Sequence, residues 1–331
     1  MPGSFRAYML SSEGPQRGQF LTVTLDDLDP GDVLVRVAYS SINYKDALAA
    51  TGRGRILRRP ACIGGIDFSG IVVASGNPRF SEGDAVIGTG FDLGVAHHGG
   101  YAEYARVDAE WLVPLPVGLS LRDAMALGTA GFTAALAIMR MERNGLTPDE
   151  GPVVVSGATG GVGSIAIAAL APLGYAVTAL TGRPHEREYL NTLGAGDMLD
   201  RAALDLSAIK PLGKATWAGA VDNLGGSILA WMLSTMQTNG VIAAIGLAQD
   251  PRLQTTVMPF ILRGVSLLGI NSSDSPSPAE RLEVWRRLAA DLRPRTLDVI
   301  AHTVAFDELP SAFEPLMAGT SRGRLVVDVR P

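Results

Sequence analysis

Residues 153–164 read Val-Val-Val-Ser-Gly-Ala-Thr-Gly-Gly-Val-Gly-Ser and continue directly into the apolar segment Ile-Ala-Ile-Ala-Ala-Leu-Ala at 165–171. A β-branched run ends at Ser156, small residues follow, and the apolar period then changes from that of a buried strand to that of a helix. The pattern predicts a strand, a tight turn and a helix. Pro172 should bend or end that helix, because proline lacks the amide donor and crowds the preceding turn.

The turn carries the spacing of a dinucleotide-binding fingerprint, Ala158-x-Gly160-x-x-Gly163, with alanine in place of the first glycine. Gly160 would let the backbone approach a pyrophosphate, and Gly163 would let the helix pack closely on the strand. A second apolar strand at 175–180 would close a βαβ unit, which favours nucleotide binding over a plain glycine-rich turn. The cofactor-binding residues predicted in this turn are Ala158, Thr159, Gly160, Gly161 and Val162.

The residues after the second strand indicate which nucleotide binds. An NAD site usually has an acidic residue there to accept the ribose hydroxyls, whereas this chain has Thr181-Gly182-Arg183. A guanidinium binds a phosphate in a fork geometry, and a carboxylate would repel it. Thr181, Gly182 and Arg183 therefore predict NADPH rather than NADH, the alternative being that Arg183 is a solvated loop cation.

Composition limits the class of protein. The chain has 331 residues, 47% hydrophobic and 18% charged, with a net charge of -5, which is typical of a compact protein of about two domains. The acidic balance argues against nucleic acid as a partner. One cysteine suits a reducing compartment, and neither a signal core near Met1 nor a continuous apolar run of membrane length is visible. We expect a cytoplasmic enzyme without a membrane partner.

The order of predicted elements gives the fold class. Strand patterns dominate up to about residue 107, helical patterns follow near 124–127 and 133–141, and short apolar strands alternate with helices from 153 to 270. Alternation of this kind predicts a doubly wound parallel sheet of the α/β class. The tail after 271 resembles the first part, with a last strand near 324. We therefore predict a Rossmann domain at 125–270 inserted in an irregular β-barrel domain formed by 1–124 and 271–331, with the site in the cleft between them.

This order resembles the medium-chain dehydrogenase/reductase superfamily, whose barrel is a GroES-like catalytic domain. Zinc-dependent members carry Cys-x-x-Asp and Gly-His-Glu steps. The matching stretches here read Asn43-Tyr-Lys-Asp46 and Gly65-Ile66-Asp67, so asparagine and isoleucine stand where two zinc ligands would be. The structural lobe with four cysteines is also missing. Zinc requires three or four clustered ligands, so we predict a metal-free protein.

Blocks spread along the chain resemble one subgroup, the YhdH/YhfP-type putative quinone oxidoreductases, which includes NADPH-dependent acrylyl-CoA reductases. These blocks include Ser-Ile-Asn-Tyr-Lys-Asp-Ala-Leu at 41–48, Gly-Thr-Ala-Gly-Phe-Thr-Ala at 128–134 and Thr-Thr-Val-Met-Pro-Phe-Ile-Leu-Arg-Gly-Val at 255–265. The resemblance implies hydride transfer from NADPH to the β-carbon of an activated alkene such as acrylyl-CoA, followed by protonation of the α-carbon. Two alternatives stay open, an NADPH:quinone oxidoreductase and a non-catalytic NADPH-binding protein.

Three residues are the catalytic candidates. Tyr44 would face the nicotinamide as a donor or cofactor contact, the alternative being an aromatic side chain packed on a helix. Asn43 would donate to the cofactor amide or the substrate carbonyl, or would only cap a helix. Arg324 aligns with a basic position that lies near cofactor or substrate phosphates in relatives, although a surface arginine would look the same. Asp46 is predicted to be a structural acceptor.

The resemblance implies further binding residues and a partner. The additional cofactor contacts that it implies are Thr133, Leu247, Phe260 and Asn271. Arg53, Arg55 and Arg58 lie in a cationic loop beside the candidate site, where they would bind coenzyme A phosphates or simply be solvated. An apolar edge strand at 265–270 implies a homodimer that joins two sheets.

Overall fold

The computed structural model describes residues 3–14 and 17–330. The chain forms two compact units, the first made of Met1–Thr129, Ser273–Ala289 and Leu297–Pro331, and the second of Ala130–Ser272 and Ala290–Thr296. The boundaries between the units, at 129/130 and 272/273, lie within five residues of the predicted domain limits at 124/125 and 270/271. The predicted division into domains stays a prediction.

Sixteen strands and nine α-helices occur within the described residues. The strands are β1 (Phe5–Ser11), β2 (Gly18–Val23), β3 (Val33–Ile42), β4 (Ala61–Ile63), β5 (Asp67–Ser75), β6 (Ala85–Thr89), β7 (Tyr104–Val107), β8 (Leu112–Pro114), β9 (Val153–Ser156), β10 (Val177–Thr181), β11 (Asp197–Asp200), β12 (Trp217–Asp222), β13 (Met236–Ala244), β14 (Ser266–Gly269), β15 (Ala301–Ala305) and β16 (Arg324–Asp328). The helices are α1 (Tyr44–Thr51), α2 (Leu121–Arg143), α3 (Gly161–Leu170), α4 (Arg187–Thr192), α5 (Gly226–Thr235), α6 (Met258–Arg263), α7 (Pro278–Leu288), α8 (Leu297–Ile300) and α9 (Leu309–Met317).

The first unit is β-rich, as the sequence predicted. Its strands form a small sheet in the order β2-β1-β4 and a larger one in the order β15-β16-β3-β5-β6-β8, with β7 also paired to β3. The long strand β3 pairs antiparallel with β5, β7 and β16, so the last strand of the chain is joined to one of the first. Leu10, Phe68 and Tyr101 are fully buried in one hydrophobic core.

The second unit contains a six-stranded parallel sheet in the order β11-β10-β9-β12-β13-β14. Numbered from β9 as the first strand, this is the order 3-2-1-4-5-6 of the doubly wound dinucleotide-binding fold. The predicted α/β Rossmann sheet is therefore confirmed, and it is inserted between two stretches of the β-rich unit. The α-helix after β9 ends at Leu170, and Pro172 lies in a following 3-10 turn, as its missing donor predicted.

Some elements were not predicted. Strands β4 and β8 have only three residues each, too few to show a period, and β15 was not predicted either. The sequence shows two separate helical patterns where the structure has the single helix α2. Within α2, Gly128 has non-helical dihedral angles, φ 51° and ψ -153°. A Cβ built on Gly128 would overlap the Arg324 guanidinium, so a larger residue cannot occupy this position.

One helix in the described part of the chain, α2, has the length and apolar composition of a membrane span. Its most apolar window of 18 residues has a mean hydropathy of 1.4, and 89% of that window is buried inside the structure. Central helices of folded domains commonly have these properties. The helix therefore gives only weak evidence about membranes.

Candidate active site

The predicted nucleotide-binding residues of the second unit lie at the carboxyl edge of its parallel sheet. The strand order reverses between β9 and β12, and in open α/β sheets ligands bind outside the carboxyl ends of the strands at such a point. The loops that follow β9, β10 and β12 all emerge there, because parallel strands end at the same edge. The predicted cofactor residues in the turn at 158–162 and in the loop at 181–183 therefore lie on two of these loops.

The glycine turn has the geometry that a phosphate cradle requires. Gly160 is the N-cap residue of α3, with an extended backbone, so the free amides at the start of that helix follow it directly. A Cβ built on Gly163 would overlap the carbonyl oxygen of Gly157, whereas one built on Gly160 would lie 3.3 Å from that oxygen. Gly163 is thus required by close packing, which leaves Gly160 as the residue whose small size would serve a ligand.

A buried clamp that the sequence did not predict joins β9 to β12. The Ser156 hydroxyl donates to Oδ1 of Asp222 at 2.7 Å, and the side-chain amide of Asn223 donates to the Ser156 carbonyl at 2.7 Å. Asp222 also accepts from the Gly225 amide at 2.8 Å, and burial raises the pKa of this carboxyl. These bonds fix the two loops on either side of the crossover point. No motif spacing links residues so far apart in sequence, so only the fold reveals the clamp.

Two arginines flank Gly182 after β10. The guanidinium of Arg183 donates to the Thr159 hydroxyl, and its amide donates to the Thr181 hydroxyl at 3.0 Å. A Cβ built on Gly182 would lie 2.9 Å from Nη2 of Arg201, which places a second guanidinium against this loop. The sequence pattern did not predict a role for Arg201, because this residue follows β11, the next strand of the sheet. The rule that all carboxyl ends of parallel strands meet at one edge would have identified it.

The other cofactor residues implied by resemblance are placed as follows. The Thr133 hydroxyl is buried and donates to the Ser272 hydroxyl at 2.7 Å, directly beside Asn271, which is exposed. Leu247 is 60% exposed in the loop after β13, and Phe260 is partly buried in α6 against the core of the second unit. Their contact with a cofactor stays a prediction.

In the first unit, Asp67 is the centre of a buried polar cluster. Oδ1 of Asp67 accepts from the amide and the hydroxyl of Ser41 at 3.1 and 2.6 Å. Oδ2 accepts from the Asn43 side chain at 2.9 Å and from both the amide and the hydroxyl of Thr129 at 2.8 Å. These five hydrogen bonds satisfy the oxygens of a fully buried carboxyl. The break at Gly128 brings Thr129 to this carboxyl.

Arg324 provides the positive charge of this cluster. It is 3% exposed, and its donors reach the Asn43 side-chain oxygen at 3.1 Å, the Ser41 hydroxyl at 2.6 Å and the carbonyls of Ile42, Met125 and Ala126. Burial lowers the pKa of Arg324, and the charge of Asp67 opposes that effect. Because every side of the guanidinium already has an acceptor, the predicted contact with a phosphate is not supported. Arg324 instead holds Asn43 and Ser41 in position.

Asp46 is a second buried carboxyl next to this cluster. It accepts from the backbone amides of Asn43 at 3.0 Å and Ile66 at 3.1 Å, which fits its predicted structural role. Burial and the neighbouring charge of Asp67 raise the pKa of Asp46 to about 7. Tyr101 lies beside Asp46, and burial raises the pKa of its phenol well above the ordinary value.

Tyr44 and Asn43 differ sharply in availability. Asn43 is the N-cap residue of α1 and is 7% exposed, with its side chain bonded to Asp67 and Arg324. These bonds make Asn43 part of the buried cluster, and its donation to a ligand stays a prediction. Tyr44 is the first residue of the same helix and is 41% exposed. Its ring is not packed into the core, so its phenol is available to a ligand.

The residues present do not fit a zinc ion at the position that the superfamily would use. The buried guanidinium of Arg324 lies 3.1 Å from the Asn43 side-chain oxygen and would repel a dication at that point. No group of three or more histidine, cysteine or acidic side chains among residues 3–14 and 17–330 is arranged to hold a metal. Cys62 is buried, and desolvation raises the pKa of its thiol to about 12, so it is not poised as a thiolate ligand.

The predicted substrate-binding arginines follow α1. Arg53 forms an ion pair with Glu314 at 2.9 Å, and Arg58 forms one with Asp92 at 3.0 Å, all with exposed side chains. Arg55 is exposed and has no carboxylate within ion-pair distance in the described part of the chain. The three side chains therefore differ in their freedom to bind an anion.

Comparison with known proteins identifies the family. Residues 29–117 match the alcohol dehydrogenase GroES-like domain, and residues 161–290 match the zinc-binding dehydrogenase domain. The chain is 48% identical over 307 residues to the putative quinone oxidoreductase YhfP of Bacillus subtilis, which covers 92% of this chain and 93% of that protein. The chain belongs to the medium-chain dehydrogenase/reductase superfamily. Within it, the match to YhfP assigns the chain to the YhdH/YhfP-type subgroup, and it is an oxidoreductase.

Other members of this subgroup are equally similar. The acrylyl-CoA reductase AcuI of Ruegeria pomeroyi is 48% identical over 307 residues, 93% of each chain. The YhdH oxidoreductase of Salmonella enterica, crystallised with NADP, superposes with a TM-score of 0.94 at 45% identity over 98% of this chain and all of that chain. The B. subtilis YhfP structure, with NAD bound, gives a TM-score of 0.95 at 45% identity over 99% and 100%. These relatives confirm the fold and the resemblance predicted from the sequence.

Proposed function

We propose that this protein is an NADPH-dependent reductase that saturates the C=C bond of short 2-enoyl-CoA thioesters, acrylyl-CoA foremost, to give propanoyl-CoA. The choice of substrate rests on the run of guanidinium groups between Arg53 and Arg59, in a protein whose net charge is -5. This run directly follows the helix that begins at Tyr44. Such a loop can bind the phosphates of a coenzyme A substrate, whereas a quinone has no phosphate for it to bind. A relative named acrylyl-CoA reductase and one named putative quinone oxidoreductase are both 48% identical to the chain, so the proposal depends on the charge of this loop.

The cofactor follows from the loop after β10. Arg183 follows Gly182 and bonds to Thr159, and the Arg201 guanidinium lies against Gly182. Two guanidinium groups at the ribose end would suit a 2′-phosphate. One relative has been crystallised with NAD and another with NADP, so both coenzymes enter this fold. The paired arginines favour NADPH for this chain.

The chemistry assigned to the side chains is limited. NADPH, when bound, would supply the hydride for the β-carbon of the alkene, and the protein would have to stabilise the negative charge on the thioester oxygen and allow a proton to reach the α-carbon. Tyr44 is the exposed donor at the start of α1 and would contact the cofactor or stabilise the developing charge. The buried hydrogen bond from Arg324 to the Asn43 side chain holds the start of α1 in place. Arg324 and Asn43 are therefore positioning residues.

The alternative is an NADPH:quinone oxidoreductase, which the name of the B. subtilis relative favours. Oxidation of NADPH, followed at 340 nm separately with acrylyl-CoA and with a 1,4-quinone, separates the two functions. The proposal predicts fast turnover with acrylyl-CoA and little with the quinone. Fast turnover with the quinone alone would support the alternative, and tight NADPH binding without turnover of either would support a non-catalytic binding protein.

We also propose a homodimer and a cytoplasmic location. β14 is the edge strand of the parallel sheet, and the adjoining helix α6 exposes Ile261 and Leu262 by 71% and 59%. An open strand edge beside exposed apolar side chains suits pairing with a second copy. The cytoplasmic location rests on the single cysteine and the composition.

A further inference from the structure

A cationic pocket of about 750 Å³ lies in the first unit, between the β1–β2 hairpin and the loop that follows α1. Four arginines line it, Arg17 from the hairpin and Arg55, Arg58 and Arg59 from the loop, together with the carboxylate-bearing Glu13. Four guanidinium groups against one lining carboxylate make this concavity an anion site in an acidic protein. Arg17 was not among the residues singled out from the sequence.

The two walls of the pocket are held together by backbone contacts. The Ser12 amide donates to the Pro60 carbonyl at 2.8 Å, and β1 pairs with β4 just beyond it. Arg17 donates to the Ser12 carbonyl, and a Cβ built on Gly52 would lie 3.0 Å from Nε of Arg17. The Arg17 guanidinium is therefore fixed beside the C-terminal end of α1, where a cation also complements the helix dipole.

The arginines of the loop are not equally free to bind an anion. Arg59 donates twice to Asp29, at 2.8 and 2.6 Å, and is only partly exposed, so its charge is already neutralised. Arg58 forms an exposed ion pair with Asp92. Exposed ion pairs contribute little free energy, so an anion can compete with Asp92 for Arg58. Neither Arg17 nor Arg55 has a carboxylate within ion-pair distance among residues 3–14 and 17–330, so these two are the available cations.

We infer that this pocket is the phosphate subsite of the acyl-CoA substrate, with Arg17 and Arg55 as its direct contacts. The inference rests on the proposed function. Helix α1 connects the two places, because Tyr44 is its first residue, and Ala49 in its last turn and Gly52 just after it line the pocket. Eight residues of helix span about 12 Å, a separation that the pantetheine arm of coenzyme A can bridge between its thioester and its phosphates.

The chemistry expected here is charge-assisted hydrogen bonding. The 3′-phosphate and the pyrophosphate of coenzyme A carry several negative charges, and a guanidinium binds phosphate oxygens in a fork geometry. The partly buried side chain of Ile56 and the buried side chain of Leu57 also line the pocket, which provides an apolar surface for the adenine ring.

The test compares two substrates in four variants. In the NADPH-saturated enzyme, Arg55→Ala and Arg17→Ala should each raise KM for acrylyl-CoA by about tenfold with little change in kcat. Neither variant should change KM for the acrylyl thioester of pantetheine, which lacks the phosphates. Arg330→Ala, which removes an arginine paired with Asp328 at 2.6 Å outside the lining of this pocket, is the matched control. The double variant Arg17→Ala/Arg55→Ala should lose more than either single one.

Direct binding keeps the two proposals distinguishable. The NADPH-loaded wild-type protein should bind coenzyme A in a calorimeter, and the double variant should bind it at least tenfold more weakly. Equal changes in KM for both thioesters, or unchanged coenzyme A binding in the double variant, would overturn the subsite while leaving the reductase intact. A wild-type protein that neither turns over acrylyl-CoA nor binds coenzyme A would overturn both.

Discussion

Nη1 of Arg324 donates a hydrogen bond of 3.1 Å to the side-chain oxygen of Asn43, although the two residues lie 281 positions apart in the chain. Both residues are buried, and the side-chain amide of Asn43 donates a second hydrogen bond to Asp67. Strand β3, which ends at Ile42, and strand β16, which begins at Arg324, are thereby connected at the start of the helix that carries Tyr44. Where zinc-dependent relatives hold a metal, this chain has a charged hydrogen-bond cluster.

The cofactor preference predicts the outcome of a charge reversal. Arg183→Glu should weaken NADPH binding by about tenfold to a hundredfold, because a fork contact to the 2′-phosphate is replaced by repulsion. NADH binding should change little. Dissociation constants from fluorescence titrations with both coenzymes check this, with the exposed Arg187→Glu as the control for a change in net charge. An equal loss of affinity for both coenzymes would show that Arg183 does not contact that phosphate.

The glycine turn can be tested by two substitutions that differ in their packing. Gly163→Ala should destabilise the protein by about 1–3 kcal/mol, because the added methyl group overlaps the Gly157 carbonyl. Gly160→Ala meets that oxygen at 3.3 Å, so it should cost less than about 1 kcal/mol and instead weaken NADPH binding about tenfold. Urea unfolding and coenzyme titration measure the two effects. The assignment fails if Gly160→Ala binds NADPH as the wild type does.

Some of these conclusions were accessible from the sequence and others were not. The strand, turn and helix around Gly160 are encoded locally, because apolar period and small residues act over about twenty positions. Arg183 follows the same βαβ unit, so its role could be proposed without a structure. Arg201 lies near Gly182 only because β11 pairs with β10 in the sheet. Arg17 lies near Gly52 only because the β1–β2 hairpin packs there.

The buried cluster shows the same limit. The sequence left open whether Asn43 is a ligand contact or a helix cap, and whether Arg324 is a phosphate contact or a surface arginine, because a motif does not reveal whether a side chain is buried. Asp67 was quoted only as part of a motif step, and its five donors come from two separate segments, at 41–43 and at Thr129. A long-range antiparallel pairing of β16 with β3 decides their roles, and no local pattern specifies that pairing.

Asp46 gives the protein a specific dependence on pH. Burial, followed by the charge of Asp67, raises its pKa to about 7, while an unfolded chain titrates near the ordinary value of about 3.9. Between these values the folded protein holds a proton that the unfolded chain has lost, so the free energy of unfolding falls as pH rises. The contribution is complete below about pH 4 and is lost as pH rises through about 7.

Urea unfolding of the wild type and Asp46→Asn at several pH values isolates this effect. The stability of the wild type relative to the variant should fall by about 1 kcal/mol per pH unit between pH 5 and 7 and then level off. Asp149→Asn, which alters an exposed carboxyl, should show no such trend. A difference that stays constant across this range would mean that Asp46 titrates normally in the folded protein.

The proposed dimer predicts the effect of a charge on its apolar face. Ile261→Arg introduces a guanidinium beside the edge strand, where pairing would bury it without a partner, and should convert the dimer to a monomer. Sedimentation velocity measures the change in mass. Val117→Arg, at a residue 99% exposed in the other unit, should leave the dimer intact. A wild-type protein that sediments as a monomer would contradict the proposed interface.

The most direct test of the central claim follows the hydride itself. Acrylyl-CoA is incubated with the protein and NADPH deuterated at the transferable C4 position, and the product is analysed by mass spectrometry and NMR. The proposed function predicts propanoyl-CoA with one deuterium at the β-carbon and a solvent-derived hydrogen at the α-carbon. Unchanged acrylyl-CoA, or propanoyl-CoA without deuterium at the β-carbon, would contradict it.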